Sequence, residues 1–194
     1  MKSVEYDLRF LHAGLEMLEE YLLSEEVFWP MSANPPQGEP DYPQLTLDWI
    51  LLASARLEAR QLSFEQKEQV RELIGDLDLN RSRWRVAWEK KARQCFQVRL
   101  RMWRGFLQEY KENPQEHADR YAYEVRLRTM LELLGDEYQP QNADDIELLS
   151  RLDKYLRSAF MPAEFTWERE IQAGFPRDKY WFLYGKLSAS AGES

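Results

Sequence analysis

Cysteine occurs once, histidine twice and glycine eight times in this 194-residue chain. A single cysteine excludes a disulfide framework and any zinc site built on several thiolates. The scattered glycines offer no pair spaced for a G-x-G-x-x-G or G-x4-G-K-[ST] phosphate loop, nor for the G-x-S-x-G turn that carries a nucleophilic serine. The two histidines are His12 and His117, and the residues three positions before them are Arg9 and Pro114. The paired Glu-x-x-His motifs of di-iron bundles are therefore missing, as is H-E-x-x-H. No catalytic residue, metal ligand or cofactor is assigned from the sequence.

Long apolar runs are also missing. The strongest, residues 49–55, falls far short of the roughly 20 residues that span a bilayer. The first seven residues include Glu5 and Asp7 and lack the apolar stretch of a signal peptide. The expectation is a soluble, cytoplasmic protein that does not engage a membrane.

What the chain does have is apolar content, 44% overall with 13% aromatic, which is enough for a core and excludes wholesale disorder. The dominant period is helical. Val4, Leu8, Leu11, Leu15, Leu18 and Leu22 recur at spacings of four and three, the mark of one helix face. Tyr6, Phe10, Met17 and Tyr21 form a second stripe on nearly the opposite side. A helix apolar on two sides must be covered twice, by its own chain or by another.

Five prolines between Pro30 and Pro43 forbid helix there and predict an extended arm over 30–43. Its Pro40-Asp41-Tyr42-Pro43 has P-x-x-P form without the flanking basic residue such ligands use, so a stapling role for Phe28, Trp29 and Tyr42 is favoured. A helix is expected over 46–60. Ser63 with Gln66 is a capping box opening another, which Gly75 is expected to close. Asn80 is then expected to cap a long helix over 81–112, roughly 48 Å at 1.5 Å per residue, which must bend near Gly105 or project. Asn113-Pro114 starts a further helix ending at Gly135. Helices over 142–160, 163–173 and 177–184 follow, then a frayed tail at 188–194. No segment alternates as a strand. The fold class is all-α. The predicted architecture is a single domain over 1–187, an antiparallel bundle of about six to eight helices with one long central helix.

Several chemical constellations reduce to architecture. Asp76-Leu77-Asp78-Leu79-Asn80 imitates the start of a calcium loop, but Arg81 stands where glycine is needed and Ala87 where a bidentate glutamate is needed. A polar link between helices is the expected role. The carboxylate pairs Glu19–Glu20, Asp76–Asp78 and Asp144–Asp145 have nothing visible to split their pKa values. Cys95 falls on an apolar arc and is expected to be a buried thiol, while His12 is expected at the surface. The aromatic cluster Phe175–Tyr184 is expected to close one end of the core, or to mark an interface if exposed.

Charge is the uneven feature. The chain carries 26 basic and 34 acidic residues, net −8. Residues 81–104 hold nine basic residues and one acid, so this stretch is +8 and the remainder −16. At 100° per residue, Arg83, Lys90, Arg93, Arg101 and Arg104 share one side with Gln94 and Gln97. Trp84, Trp88, Cys95, Met102 and Phe106 share the other. Acids of residues 1–29, which carry −5, are expected to neutralise this face unless it lies bare. Arg85 and Arg99 project toward the apolar side, and Arg99 is expected to be buried against a carboxylate of a neighbouring helix. The leading functional expectation is a non-catalytic interaction or adaptor protein binding a protein partner or itself. Nucleic-acid or polyanion binding along the five basic residues is the alternative, and a helical enzyme with an unfamiliar site is third.

Overall fold

The computed structural model describes residues 2–138 and 143–189. The fold is all-α: eight α-helices and one two-stranded sheet occur among the described residues. Helix α1, Val4–Glu16, opens on Ser3, whose Oγ accepts the Tyr6 amide at 3.0 Å. Met17 interrupts it, and α2 continues over Leu18–Leu23. Both apolar stripes are covered by the same chain. Leu8, Leu11, Leu18 and Leu22 enter the core. On the other side the rings of Tyr6 and Phe10 pack against Tyr42, at centroid distances of 4.6 and 5.4 Å.

Residues 24–46 contain no helix. Trp29 and Leu45 form an antiparallel bridge within this segment, exchanging amide hydrogen bonds of 3.0 and 2.8 Å. Thr46 then caps α3, Leu47–Ala59, which is buried along much of its length. The capping box at Ser63 is present as expected and opens α4, Phe64–Arg83. Gly75 does not close that helix. An internal glycine costs about 1 kcal/mol, an amount that Val70 and Leu77, buried on either side of it, outweigh.

Asn80 is likewise internal to α4 and donates its side-chain amide to the Asp76 carbonyl, so the acidic run around it is helix and not a link. The break falls at Trp84 instead, and α5 runs over Arg85–Glu112, uninterrupted at Gly105. Asn113 and Pro114 act as expected, starting the short α6, Pro114–His117, with the Asn113 side chain accepting the Glu116 amide. A 3₁₀ turn then leads into α7, Tyr121–Glu137, which continues two residues past Gly135. Helix α8 spans Ala143–Ala159.

The two helices expected after α8 do not form. Pro162 and Pro176 interrupt the segment, and only 3₁₀ turns occur, at Arg169–Gly174 and Trp181–Leu183. Strands β1, Phe160–Pro162, and β2, Gly185–Leu187, pair antiparallel around them. Three residues per strand are too few to show alternation in a sequence. The aromatic cluster belongs to the core: Phe175 and Phe182 are fully buried, and the Tyr184 hydroxyl donates to the Phe175 carbonyl at 2.7 Å. Of the tail, residues 190–194 lie outside the described residues.

The buried side chains form one hydrophobic cluster centred on α5, whose apolar face meets α7, α3 and α8. The turn Arg169–Gly174 packs on α3 at close range, since a Cβ on Gly174 would stand 2.6 Å from that of Ala59. No helix among the described residues is long and apolar enough to cross a membrane.

Candidate functional site

The amphipathic pattern of α5 sorts its basic residues into three environments. Two are enclosed. Arg99, 5% exposed, donates from Nε to Asp48 Oδ2 of α3 at 2.7 Å and from Nη2 to Thr46 Oγ1 at 3.1 Å. The sequence expectation for Arg99 holds. Lys91, 1% exposed, donates from Nζ to the carbonyls of Ser24 and Glu26 at 2.9 and 2.6 Å, capping the chain as it leaves α2. Arg85 is not enclosed. Its side chain is 80% exposed and pairs with Glu89 one turn along at 2.9 Å, because α5 begins only at that residue.

A second group lies near acids of the first 29 residues. Lys90 Nζ donates to Glu25 at 2.7 Å and holds that carboxyl below the ordinary glutamate range. Arg83 ends α4 and so lies off the α5 face expected for it; its guanidinium lies 3.9 Å from Glu19 and above the Trp84 ring. Arg93 lies over the Tyr138 ring at 5.9 Å, without a carboxylate among the described residues.

The third group is bare. Arg101 and Arg104 are exposed, and no carboxylate among the described residues reaches either; Lys111 shares this condition. They belong to a row spaced by four and three, Lys90, Gln94, Gln97, Arg101, Arg104, Gln108 and Lys111, which contains no acid. At 1.5 Å per residue the row is about 31 Å long. The structure thus brings Arg83 and Lys90 to internal acids and leaves Arg101 and Arg104 to solvent.

The other half of the α5 pattern is core. Cys95 is buried, its thiol pushed up to about 12 by burial and set 3.5 Å from the Tyr21 hydroxyl. Trp88 and Trp103 are buried, and Trp84 is half-buried. His12 is at the surface, 3.8 Å from Glu16. Among the described residues no group of three or more His, Cys, Asp or Glu side chains is placed to hold a metal ion.

A second site went unread in the sequence. A cavity of about 300 Å³ opens between α3, α7 and the turn Arg169–Gly174. Lys2, Arg56 and Arg126 contribute cations to its wall, and Trp49, Tyr123 and Trp167 contribute rings. Arg56 sits in the most apolar helix of the chain. An arginine there was the available signal, since a buried guanidinium needs a partner. The charges it faces include Asp7 and Glu168, which lie far from it in sequence. Comparison of the chain with protein-family models, with curated proteins and with solved structures finds no match.

Proposed function

We propose that this is a non-catalytic interaction protein that docks an acidic segment of a partner protein on the exposed basic row of α5. One observation carries the reading: in a chain with 34 acids, Arg101 and Arg104 stand exposed with no carboxylate among the described residues. Two guanidinium forks without a carboxylate among the described residues, followed two turns on by Lys111, suit the carboxylates of an acidic helix or strand. Nucleic acid is the weaker occupant. The net charge of −8 repels a long polyanion, and Trp88 and Trp103 are buried, so α5 presents neither ring for base stacking.

The test is fluorescence anisotropy with a labelled glutamate-rich peptide and, separately, a labelled oligothymidylate, each at low and at physiological salt. The expected result is peptide binding that weakens with salt and is lost in an Arg101→Gln, Arg104→Gln, Lys111→Gln variant. Tighter binding of the oligonucleotide, lost in the same variant, overturns the proposal in favour of a nucleic-acid interface. Binding of neither probe at low salt also overturns it.

A further inference from the structure

The cavity lined by Lys2, Arg56 and Arg126 contains no residue of α5 and is independent of the interaction surface. Its chemistry starts from Arg56. That side chain is 8% exposed, yet its Nε and Nη2 have no hydrogen-bond acceptor. The nearest carboxylate, Asp7, is shared between two guanidinium groups: its Oδ2 accepts from Arg60 Nη1 at 2.5 Å and forms an ion pair with Arg56 Nη2 at 3.3 Å. A buried guanidinium with unmet donors carries a substantial desolvation cost, which an arriving oxyanion would offset.

The other two cations reinforce this. Lys2 forms no ion pair with a carboxylate among the described residues and rests its ammonium over the rings of Trp49 and Tyr6, at 4.6 and 4.9 Å. Burial and the neighbouring Arg56 push Lys2 down to about 8. Arg126 stacks on Tyr123 at 3.5 Å and reaches Glu124 at 3.3 Å. One acid, Glu168, shares the wall with the three cations, while Asp7 and Glu124 reach Arg56 and Arg126 from outside it. The remaining lining is flat and apolar, with Trp49, Leu52, Trp167 and Ile171.

We propose that this cavity binds a small aromatic organic acid, with its oxyanion on Arg56, Lys2 and Arg126 and its ring against Trp49 and Trp167. An oxyanion beside Arg56, Lys2 and Arg126 offsets the cost of burying their charge, and a ring packs on the indole side chains of the lining. The volume of about 300 Å³ admits a single-ring compound.

Isothermal titration of the full chain with benzoate and with phenyl phosphate tests the proposal, with benzamide as the neutral control. Binding of either acid and no binding of benzamide is the expected result. Lys2→Gln and Arg126→Gln are each expected to weaken it about tenfold or more. These residues are chosen over Arg56, whose removal would strand Asp7, and both variants are expected to stay folded, with wild-type circular dichroism. A second readout is proton uptake. Lys2 is faced by Asp7 of α1, Arg56 of α3, Arg126 of α7 and Glu168, and an added anion favours its charged form. Binding measured between pH 8 and 9 in two buffers of different ionisation enthalpy is therefore expected to take up protons, and to lose this uptake in Lys2→Gln. Absence of heat with both acids at about 10 mM, equal binding of benzamide, or unchanged affinity in both variants overturns the proposal. An Arg101→Gln, Arg104→Gln variant is expected to bind the acids as wild type does, which separates this site from the α5 surface.

Discussion

Arg99 and Asp48 form a buried ion pair, Nε to Oδ2 at 2.7 Å, that ties the middle of α5 to the first turn of α3. The same guanidinium donates to Thr46 Oγ1, the group that also accepts the Trp49 amide at the α3 N-terminus. One side chain on α5 thus orients both the cap and the first-turn acid of the central apolar helix. Removing either charge leaves the other buried and unpaired. Asp48→Ala and Arg99→Ala are each expected to lower stability by about 3–5 kcal/mol in urea denaturation. An Asp48→Leu, Arg99→Met double variant is expected to lose much less than the sum. Additive losses would show that the two charges do not interact.

Lys90 and Lys91 are adjacent in sequence and opposite in consequence. Lys91 satisfies two carbonyls beyond α2 from a buried position, so Lys91→Ala is expected to cost about 1–3 kcal/mol. Lys90 makes an exposed, solvent-screened pair, so Lys90→Ala is expected to lose less than Lys91→Ala. Arg101→Gln and Arg104→Gln are expected to change stability by less than about 0.5 kcal/mol. Denaturation midpoints of the four variants check this ranking. A large loss at Arg104 would place it in the architecture and remove it from the candidate interface.

Cys95 is expected to resist thiol reagents while the protein is folded. Its thiol is fully buried and its pKa is pushed up to about 12, so almost no thiolate exists at pH 8. Labelling with an aromatic disulfide reagent is expected to be slow in buffer and complete in denaturing urea. Rapid labelling of the folded chain would contradict this burial.

Lys2 makes stability depend on pH with a definite sign. Its folded pKa, about 8, lies below the unfolded value of 10.5, so between these values the unfolded chain binds more protons. The cost of holding Lys2 charged is present in full below about pH 8 and is relieved as pH rises toward 10.5. Wild type is therefore expected to gain stability relative to Lys2→Gln across that window, measured by urea denaturation at a series of pH values. A constant difference would show that the lysine is not desolvated.

Local rules were legible in the chain itself. The capping box at Ser63, the start at Asn113-Pro114, the apolar faces of α1 and α5 and the burial of Cys95 all follow from spacing within a few residues. Arg99 belongs with them, because an arginine on an apolar helix arc must be buried and so must be paired. Stops read from single residues were less secure. Gly75 and Asn80 stand inside α4, since the cost of each is below the gain from extending a helix whose flanking apolar residues already pack. The strands at Phe160–Pro162 and Gly185–Leu187 left no period to read.

By itself the sequence determined the all-α class, the absence of familiar catalytic motifs and the concentration of positive charge on one helix. Only the tertiary structure decided which of those charges are free. Coulomb interaction depends on separation in space, and Glu19, Glu25 and Asp48 reach their partners across 51 to 65 residues of chain. The same holds for the cavity: Lys2, Arg56 and Arg126 meet because α1, α3 and α7 pack around one core, a relation that no local pattern in the chain encodes.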